Sequence, residues 1–436
     1  MTRASVARDA PPDTVVATQP SGARRWADTA LSAFQYPVYR LIWLGSFVGF
    51  LSFNMSGTAQ SVVAFDLTGN NSAVGTVMFG QGVAMLLLNP IGGTIADRFN
   101  KRLLILTTQF VIGTVIFTTA MLLYLDRISI PLLAAGSFTT GAMFAFLGPA
   151  RIALIGDVVP RERIGNATAL LQVGGNFGRV VAPFVAGAFL SISFIGSAGT
   201  YFVISAAFIV VLLFMSRVPN TPPRPTEGRS ILDDVRIGLR YARSNQRLLH
   251  SLVGYYFVTA LGFSFFVLMP GFVKDELGHG NASIGAMLGM AALGGLIGSL
   301  FAAGAADSKN ALLYLKFATL AAGVGLILLG FSPTLLVALF VIIISGAGVS
   351  AFQTLNNAVS LRYTDPMYFG RVMGLMQIAW GLINILSLPT GALADVIGER
   401  AVLSGAGSLL VAVVVAMGFW ERRLPPVAAS EALSRV

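Results

Sequence analysis

Long stretches without Asp, Glu, Lys or Arg follow one another between Leu41 and Trp420, separated by short polar connections. A helix needs about 20 mainly apolar residues to cross the roughly 30 Å hydrocarbon layer, because lipid offers the backbone no hydrogen-bond partner and a helix satisfies its own backbone groups. The pattern therefore predicts an all-α, polytopic membrane protein.

Turn residues split the two longest stretches, at 196–200 and 331–334. Twelve spans are predicted, near residues 40–62, 72–96, 103–124, 129–150, 164–191, 198–216, 249–273, 281–305, 311–331, 334–360, 371–394 and 401–420.

Positive charge favours every second connection between the predicted spans. The outer loops hold Arg127, Lys274 and Arg400, and Arg179 lies inside a span, so the other 25 of the 29 Lys and Arg residues lie on one side. Lys and Arg are biased toward cytoplasmic loops. We therefore expect a multi-pass protein of the cell membrane with both termini in the cytoplasm.

The longest polar connection, Arg217–Gln246, divides the chain into two six-span halves. Within it, Ser230 and Asp233 resemble a capping box, and the residues after them place apolar and basic side chains on different faces of a helix. Such a helix suits the inner membrane surface, and a solvated basic linker is the alternative. The predicted organisation is a disordered cytoplasmic tail (1–38), a six-helix bundle (39–216), a linker with an amphipathic helix (217–248), a second six-helix bundle (249–420) and a cytoplasmic tail (421–436).

The two halves resemble each other at an offset of about 206 to 210 residues. To within a residue, Pro160, Gln172 and Pro183 match Pro366, Gln377 and Pro389, and Asp97 matches Asp307. Two related bundles are expected, with a substrate site at their interface, as is usual in secondary transporters.

Composition excludes several classes of protein. With 55% hydrophobic and 11% charged residues the chain lies far outside soluble globular composition. The net charge of +10 is spread between spans, so no nucleic-acid partner is expected. The chain has no cysteine, two histidines and no Walker A sequence. No catalytic residue, metal site or cofactor is predicted, and an enzyme is not expected.

Predicted span 2 ends in a charged motif, Gly93-Thr94-Ile95-Ala96-Asp97-Arg98-Phe99-Asn100-Lys101-Arg102. The motif resembles G-x-x-x-D-R-x-G-x-R-R, the signature between spans 2 and 3 of the major facilitator superfamily, with Asn100 in place of a glycine. The segments 148–151, 157–162 and 370–373 resemble the exporter branch of that superfamily, which includes the enterobactin exporter and drug-efflux proteins.

This resemblance implies the superfamily's fold and alternating access, in which two bundles expose a central cavity first to one side and then to the other. Asp97 would cap the cytoplasmic start of span 11, near 369–372, when the inner side is closed. The expected conformational latch comprises Gly93, Asp97, Arg98, Lys101, Arg102, Arg151 and Arg371. Gly391-Ala392-Leu393-Ala394-Asp395 mimics the signature but follows span 11, so we expect it to face outside and to take no part in the inner latch.

Span 5 carries a sequence similar to the antiporter motif of the superfamily, with Gly178, Pro183 and Gly187 at its main positions. Small residues permit close helix packing and an internal proline frees a backbone carbonyl, so the motif could bend span 5 against span 8. The resemblance favours efflux. A tightly packed helix without that role is an equal alternative.

Arg179 is the one charge deep within a predicted span. A cation there costs several kcal/mol unless it is paired or faces water, so we expect it in the cavity, with structural pairing as the alternative. Polar residues accompany it on several spans, where hydrogen bonding between helices competes with ligand contact. The candidate cavity residues are Asn54, Gln81, Gln172, Asn176, Arg179, Gln353, Asn356, Gln377, Trp380 and Asn384.

The leading hypothesis is a secondary exporter of hydrophobic or amphipathic small molecules, such as drugs, siderophores or lipids. An importer or facilitator of a small nutrient is the alternative. Proton coupling would require a titratable group, and Asp66 or Asp97 would have to serve. We expect a monomer in the lipid bilayer.

Overall fold

A computed structural model describes residues 31–220 and 231–423, and these contain twelve helices long and apolar enough to cross a membrane. All twelve predicted spans are confirmed. Spans 1 to 6 are Pro37–Thr68, Asn71–Arg98, Lys101–Tyr124, Ile130–Val158, Ile164–Ser191 and Gly196–Ser216. Spans 7 to 12 are Gln246–Glu276, Asn281–Ala305, Ala311–Gly330, Leu335–Arg362, Phe369–Ile397 and Glu399–Arg422.

The first six spans form one half of the molecule and the last six form the other. Span 2 packs against span 11 and span 5 against span 8, so these two pairs join the halves. We call the side that carries the helix between the halves the linker face, and the other side the opposite face. The sequence predicts that the linker face is cytoplasmic.

The halves are in close contact near the opposite face. A Cβ atom on Gly187 of span 5 would lie 2.7 Å from the Cα atom of Gly285 in span 8, which leaves no room for a side chain. On span 2, a Cβ on Gly75 would lie 2.5 Å from the carbonyl oxygen of Ser387 in span 11. The halves therefore meet closely near the opposite face.

The predicted linker helix is observed at Ile231–Ser244. Ala242 is buried, while Arg236, Arg240 and Arg243 are exposed, as expected for an amphipathic helix. Gly238 packs against Arg371 of span 11, so the helix rests on the second half. The proposed capping residues cannot be placed, since Ser230 and the Asp233 side chain lie outside the described residues.

Several span ends differ from the prediction by a few residues, and three further differences concern the two tails and span 7. Residues 32–35, assigned to the disordered tail, form a 3₁₀ helix because Asn166 accepts hydrogen bonds from the Ser32 hydroxyl at 3.2 Å and the Ala33 amide at 3.0 Å. Span 12 continues to Arg422, so residues 421 and 422, which were assigned to the last tail, are helical. Span 7 is interrupted after Gly262 and ends in a π-helical turn over Phe272–Glu276, so it is not one regular helix.

Candidate functional site

Arg179 lies at the interface between the two halves, where it faces an aromatic cluster. Its guanidinium carbon lies 5.9 Å from the ring centroid of Trp380, on span 11 of the other half. The Trp380 ring is 5.4 Å from that of Phe263, which is itself 5.7 Å from Phe266. The Arg179 side chain is exposed rather than packed among carbonyl groups. A cation over an aromatic face in such a place can contact an organic ligand.

The break in span 7 explains how the cluster forms. Regular helix stops at Gly262 and resumes at Phe265, so Phe263 and Ser264 lie between the two helical segments. Helix interruptions at membrane depth are tolerated where the freed backbone groups find partners or line a cavity. Here the Ser264 hydroxyl donates to the carbonyl oxygen of Leu261 at 2.7 Å. Sequence reasoning missed Phe263 because no proline or glycine pair marks the interruption.

Two further predicted cavity residues lie on the linker side of Arg179 and of Trp380. Gln172 lies two turns before Arg179 on span 5 and is exposed. Gln377, one turn before Trp380 on span 11, is exposed as well. Asn176 is half-buried between Gln172 and Arg179 on the same face. Gln172 and Gln377 belong to different halves, so exposed amide groups occur on both sides of the interface that holds Arg179 and Trp380.

The remaining predicted cavity residues are engaged locally. Asn54 and Asn384 each donate from the side-chain amide to a carbonyl oxygen one turn earlier, at 2.7 Å and 2.9 Å. Gln81 packs on Gly141 of span 4, and Gln353 has a buried amide nitrogen without a described partner. Asn356 is 1% exposed and accepts from the Ser251 hydroxyl at 2.9 Å, within the second half. The structure does not bring these side chains to Arg179.

The span 5 motif lies at contacts between helices. Gly178 is buried, and a Cβ there would lie 3.4 Å from the backbone nitrogen of Leu51 in span 1. Pro183 is buried within a helix that runs without interruption, and a Cβ on Gly285 would collide with the Pro183 carbonyl oxygen. Gly187 meets Gly285 directly. The motif thus packs span 5 against spans 1 and 8 in this conformation.

A carboxylate closes the opposite face. Asp395, near the end of span 11, accepts hydrogen bonds from the backbone N–H groups of Asn71 at 2.7 Å and Ser72 at 3.0 Å. These are the first residues of span 2, so Asp395 caps a helix of the other half. The N-terminus of a helix carries unpaired N–H groups and positive potential, both of which favour a carboxylate. The segment 391–395, which was expected to take no part in the inner latch, thus forms a contact between a carboxylate and a helix N-terminus at the opposite face.

Two more pairs reinforce that contact. Glu399, which is 7% exposed, accepts from the side-chain amide of Asn71 at 2.7 Å. Lys274, at the end of span 7, forms an ion pair with Asp66 at the end of span 1. Sequence reasoning did not assign Glu399 or Lys274 to any site, because partners more than 200 positions apart leave no local signal.

The proposed inner latch residues are spread over the linker face. Lys101 is buried and pairs with Asp157 at 2.5 Å, and Arg151 is buried with its guanidinium 4.5 Å from the Phe50 ring centroid. Arg371 lies over the Tyr368 ring at 5.4 Å. Arg98 is exposed and Arg102 donates to Asn220 at 3.1 Å. The surroundings of Gly93 and the side chain of Asp97 lie outside the described part of the structure, so the expected cap on span 11 stays a prediction.

Among the described residues, no three His, Cys, Asp or Glu side chains cluster closely enough to hold a metal ion. The site consists of one cation, aromatic rings and amide groups between two helix bundles. Such a surface can bind an organic molecule by stacking, charge and hydrogen bonds.

Comparison with known proteins points to one family. The sequence matches the Major Facilitator Superfamily over residues 42–387. It is 26% identical over 388 residues to the enterobactin exporter EntS of Shigella flexneri, covering 88% of this chain and 89% of that protein, with the same identity and coverage for EntS of Escherichia coli O1:K1. Among solved structures, a bacterial homolog of the human lysosomal transporter Spinster, inward-facing and occupied, aligns with a TM-score of 0.72 at 15% identity, over 89% of this chain and 97% of that one. A point mutant of the nucleoside transporter NupG aligns with a TM-score of 0.72 at 13% identity, over 87% of this chain and 99% of that one.

Proposed function

Because the chain belongs to the Major Facilitator Superfamily, we propose that it is a secondary active transporter that exports amphipathic organic molecules, with a preference for anionic ones. The proposed direction is from the linker face, in the cytoplasm, to the opposite face, outside the cell membrane. Siderophores, drugs and lipid-like molecules are the proposed substrate classes.

The observation that carries the proposal is the exposed Arg179 against the aromatic rings of Trp380 and Phe263. A cation attracts an anionic group, and aromatic rings bind apolar and conjugated parts of the same molecule. A sugar would need more hydrogen-bonding groups than this wall offers. Similarity to the enterobactin exporter along most of the chain supports export of a comparable molecule.

The contacts of the opposite face support an alternating-access cycle. Asp395, Asn71 and Glu399 join the halves on that face. A substrate would enter from the cytoplasm in this conformation. Release would require these contacts to break and the halves to close at the linker face, where Asp97 is the proposed cap for span 11.

Proton coupling is part of the same proposal, with Asp66 as its carboxylate. Asp66 is partly exposed on the opposite face and pairs with Lys274 of the other half. Loss of this pair would favour opening toward the outside. A proton gradient would then bias the cycle toward export.

The experiment uses purified protein in liposomes, with orientation determined by labelling of the linker. The probes are enterobactin and two amphipathic dyes of similar size, one anionic and one cationic, with a pH gradient of either sign. We expect enterobactin and the anionic dye to move from the linker face to the opposite face when the opposite side is acidic.

Arg179→Gln should lower the transport rate of the anionic probes by roughly 10- to 100-fold, since a hydrogen bond to a charged group contributes about 1.5–3 kcal/mol. The matched control is Arg127→Gln, an exposed arginine in an opposite-face loop, which should leave the rate unchanged. Equal rates for wild type and Arg179→Gln would refute the assigned site. Accumulation toward the linker face, driven by proton influx, would instead establish an importer.

A further inference from the structure

A second cavity lies inside the second half, away from Arg179. It opens between spans 7, 9, 10 and 12 at their linker-face ends and leaves about 50 Å³ for the centres of water-sized molecules. A single water needs roughly 10–15 Å³ of such space, so the cavity has room for more than one water-sized group. Its walls are mainly apolar and include Gly254, Val258, Leu312, Leu315, Val413, Val414 and Met417.

The mouth of this cavity carries charge. Arg247 at the start of span 7 and Lys316 in the first two turns of span 9 both line it, together with Glu421 at the end of span 12. Lys316 pairs with Glu421 at 2.6 Å, and Arg247 lies over the ring of Tyr363 at 5.8 Å. The mouth therefore has two cations and one carboxylate at the level where spans 7, 9 and 12 reach the linker face.

The interior is suited to an apolar chain. Arg247 and Val258 are eleven residues apart, so the cavity reaches about 16 Å along span 7 at 1.5 Å per residue. Ser251 and Asn356 on its wall form hydrogen bonds with protein partners. The Ser251 hydroxyl lies 2.9 Å from the side-chain oxygen of Asn356 and 2.8 Å from the Ser360 hydroxyl. A water molecule in the apolar part would find few hydrogen-bond partners.

The corresponding place in the first half is largely filled. There, spans 1, 3, 4 and 6 leave only about 10 Å³ for the centres of water-sized molecules, and Arg151 lies across the space on Phe50. Phe352 follows Phe144 by 208 residues, and Val359 follows Arg151 by the same 208, so Val359 stands where the first half has the arginine. The open cavity thus belongs to the second half and is not a general result of helix packing in both.

The cavity lies beside lipid. On the outer surfaces of spans 9 and 12, Phe317 is 59% exposed, Val415 is 53% exposed and Phe419 is 61% exposed, as expected where helices contact acyl chains. Lipid of the leaflet at the linker face therefore lies beside the helices that carry the mouth of the cavity.

We propose that this cavity binds one acyl chain of an anionic phospholipid from the leaflet at the linker face, with the phosphate at Arg247 and Lys316. Lys and Arg near a membrane surface attract anionic headgroups. The chain fills apolar space that water would occupy poorly. The site is separate from Arg179 and does not depend on the proposed transport direction.

Trp420 provides a reporter, because its ring lies 5.1 Å from that of His250 on the cavity wall. The test uses the full chain with Trp26, Trp43 and Trp380 replaced by Phe, and measures quenching of Trp420 fluorescence by phospholipids with brominated chains. Brominated phosphatidylglycerol and brominated phosphatidylcholine are compared in vesicles of unlabelled phosphatidylcholine.

We expect phosphatidylglycerol to quench at a mole fraction about fivefold lower than phosphatidylcholine, since one net cation contributes about a factor of five. Gly254→Leu should abolish this difference, because a Cβ at 254 already approaches Met417 at 3.0 Å and a larger side chain enters the cavity. Gly405→Leu on span 12, where nothing lies within 4 Å, should leave it unchanged. Arg247→Gln should reduce the preference, and Arg243→Gln, exposed on the linker helix, should not.

Equal quenching by both lipids would overturn the proposal, as it would indicate ordinary contact with surrounding lipid. Persistence of the preference in Gly254→Leu would do the same, provided that the variant keeps the thermal unfolding midpoint of Gly405→Leu. In the otherwise wild-type chain, Arg179→Gln should keep the stabilisation by phosphatidylglycerol, measured as that midpoint, even if it loses transport. Failure of this site and failure of the transport proposal are therefore distinguishable.

Discussion

The two faces of the molecule use charged residues in different ways. At the opposite face, Asp395 and the Lys274–Asp66 pair connect one half to the other. At the linker face, which holds most of the basic residues, Lys101 pairs with Asp157 inside the first half and Arg362 with Asp307 inside the second. Among the described residues, the charged contacts named at the opposite face join the two halves, whereas these two pairs at the linker face each stay within one half. The position of a charge relative to the interface matters more than the number of charges.

The same kind of segment ends span 2 at one face and span 11 at the other. Residues 391–395 place Asp395 on the first N–H groups of span 2. The resemblance of residues 93–102 to the superfamily signature predicts that Asp97 does the same for span 11. Each cap would stabilise one of two conformations, and a change in either would shift the equilibrium between them. The predictions below test this comparison at the opposite face.

The largest effect is expected for Gly285→Leu. Its side chain would collide with Pro183 and Gly187, and overpacking of this kind costs about 1–3 kcal/mol, so closure at the opposite face should weaken by roughly 5- to 150-fold. The readout is maleimide labelling of Ser387→Cys, which is buried in the contact and unique in a chain without natural cysteine. Labelling should rise and transport should fall. Gly304→Leu, on the same span but with free space, is the control, and equal labelling in both would contradict a steric role for Gly285.

An intermediate effect is expected for Asp395→Asn. The amide keeps one acceptor but loses the charge, and a carboxylate at a helix N-terminus contributes about 0.3–2 kcal/mol, so labelling of Ser387→Cys should rise by roughly 2- to 30-fold. Asp126→Asn serves as the control, because Asp126 is exposed and Asn tolerates its positive φ of 52°. Unchanged labelling in Asp395→Asn would show that the cap does not hold the face closed.

The smallest effect is expected for Lys274→Gln. The pair with Asp66 is partly exposed, and such pairs contribute about 0–1 kcal/mol, so the equilibrium should shift by at most about fivefold. The shift should disappear in about 1 M salt, where screening acts over about 3 Å. Lys309→Gln, exposed at the linker face, should have no effect on labelling at either salt concentration. A shift larger than that of Asp395→Asn would reverse the order proposed here.

Much of the fold could be predicted because each span is a local property of the sequence. Twenty apolar residues in a row predict a crossing wherever the rest of the chain lies, and all twelve crossings are confirmed. The interruption of span 7 was not predicted, since Phe263 and Ser264 are ordinary span residues. Residues 32–35 were assigned to the tail because their partner, Asn166, is more than 130 positions away.

The candidate site was predicted in part. Arg179 is predicted because a charge at membrane depth is costly, and Trp380 because it belongs to a stripe with Gln377 and Asn384 on span 11. The structure brings Arg179 and Trp380 together. Asn356 is likewise a polar residue within a predicted span, yet it forms a hydrogen bond with Ser251 and lines the cavity of the second half. An amide on a helix shows the same sequence pattern whether it faces a ligand, a neighbouring helix or its own backbone.

The sequence by itself determined the number of crossings, the division into two halves and the family, because hydrophobic length and short motifs are read along one stretch of chain. Only the tertiary structure decided which charges meet. The carboxylate of Asp395 accepts a hydrogen bond at the start of span 2, 324 positions away in the sequence, and Arg179 contacts Trp380 across the interface between the halves. Such contacts depend on how helices from two halves pack, and packing combines distant residues whose pairing no local pattern encodes.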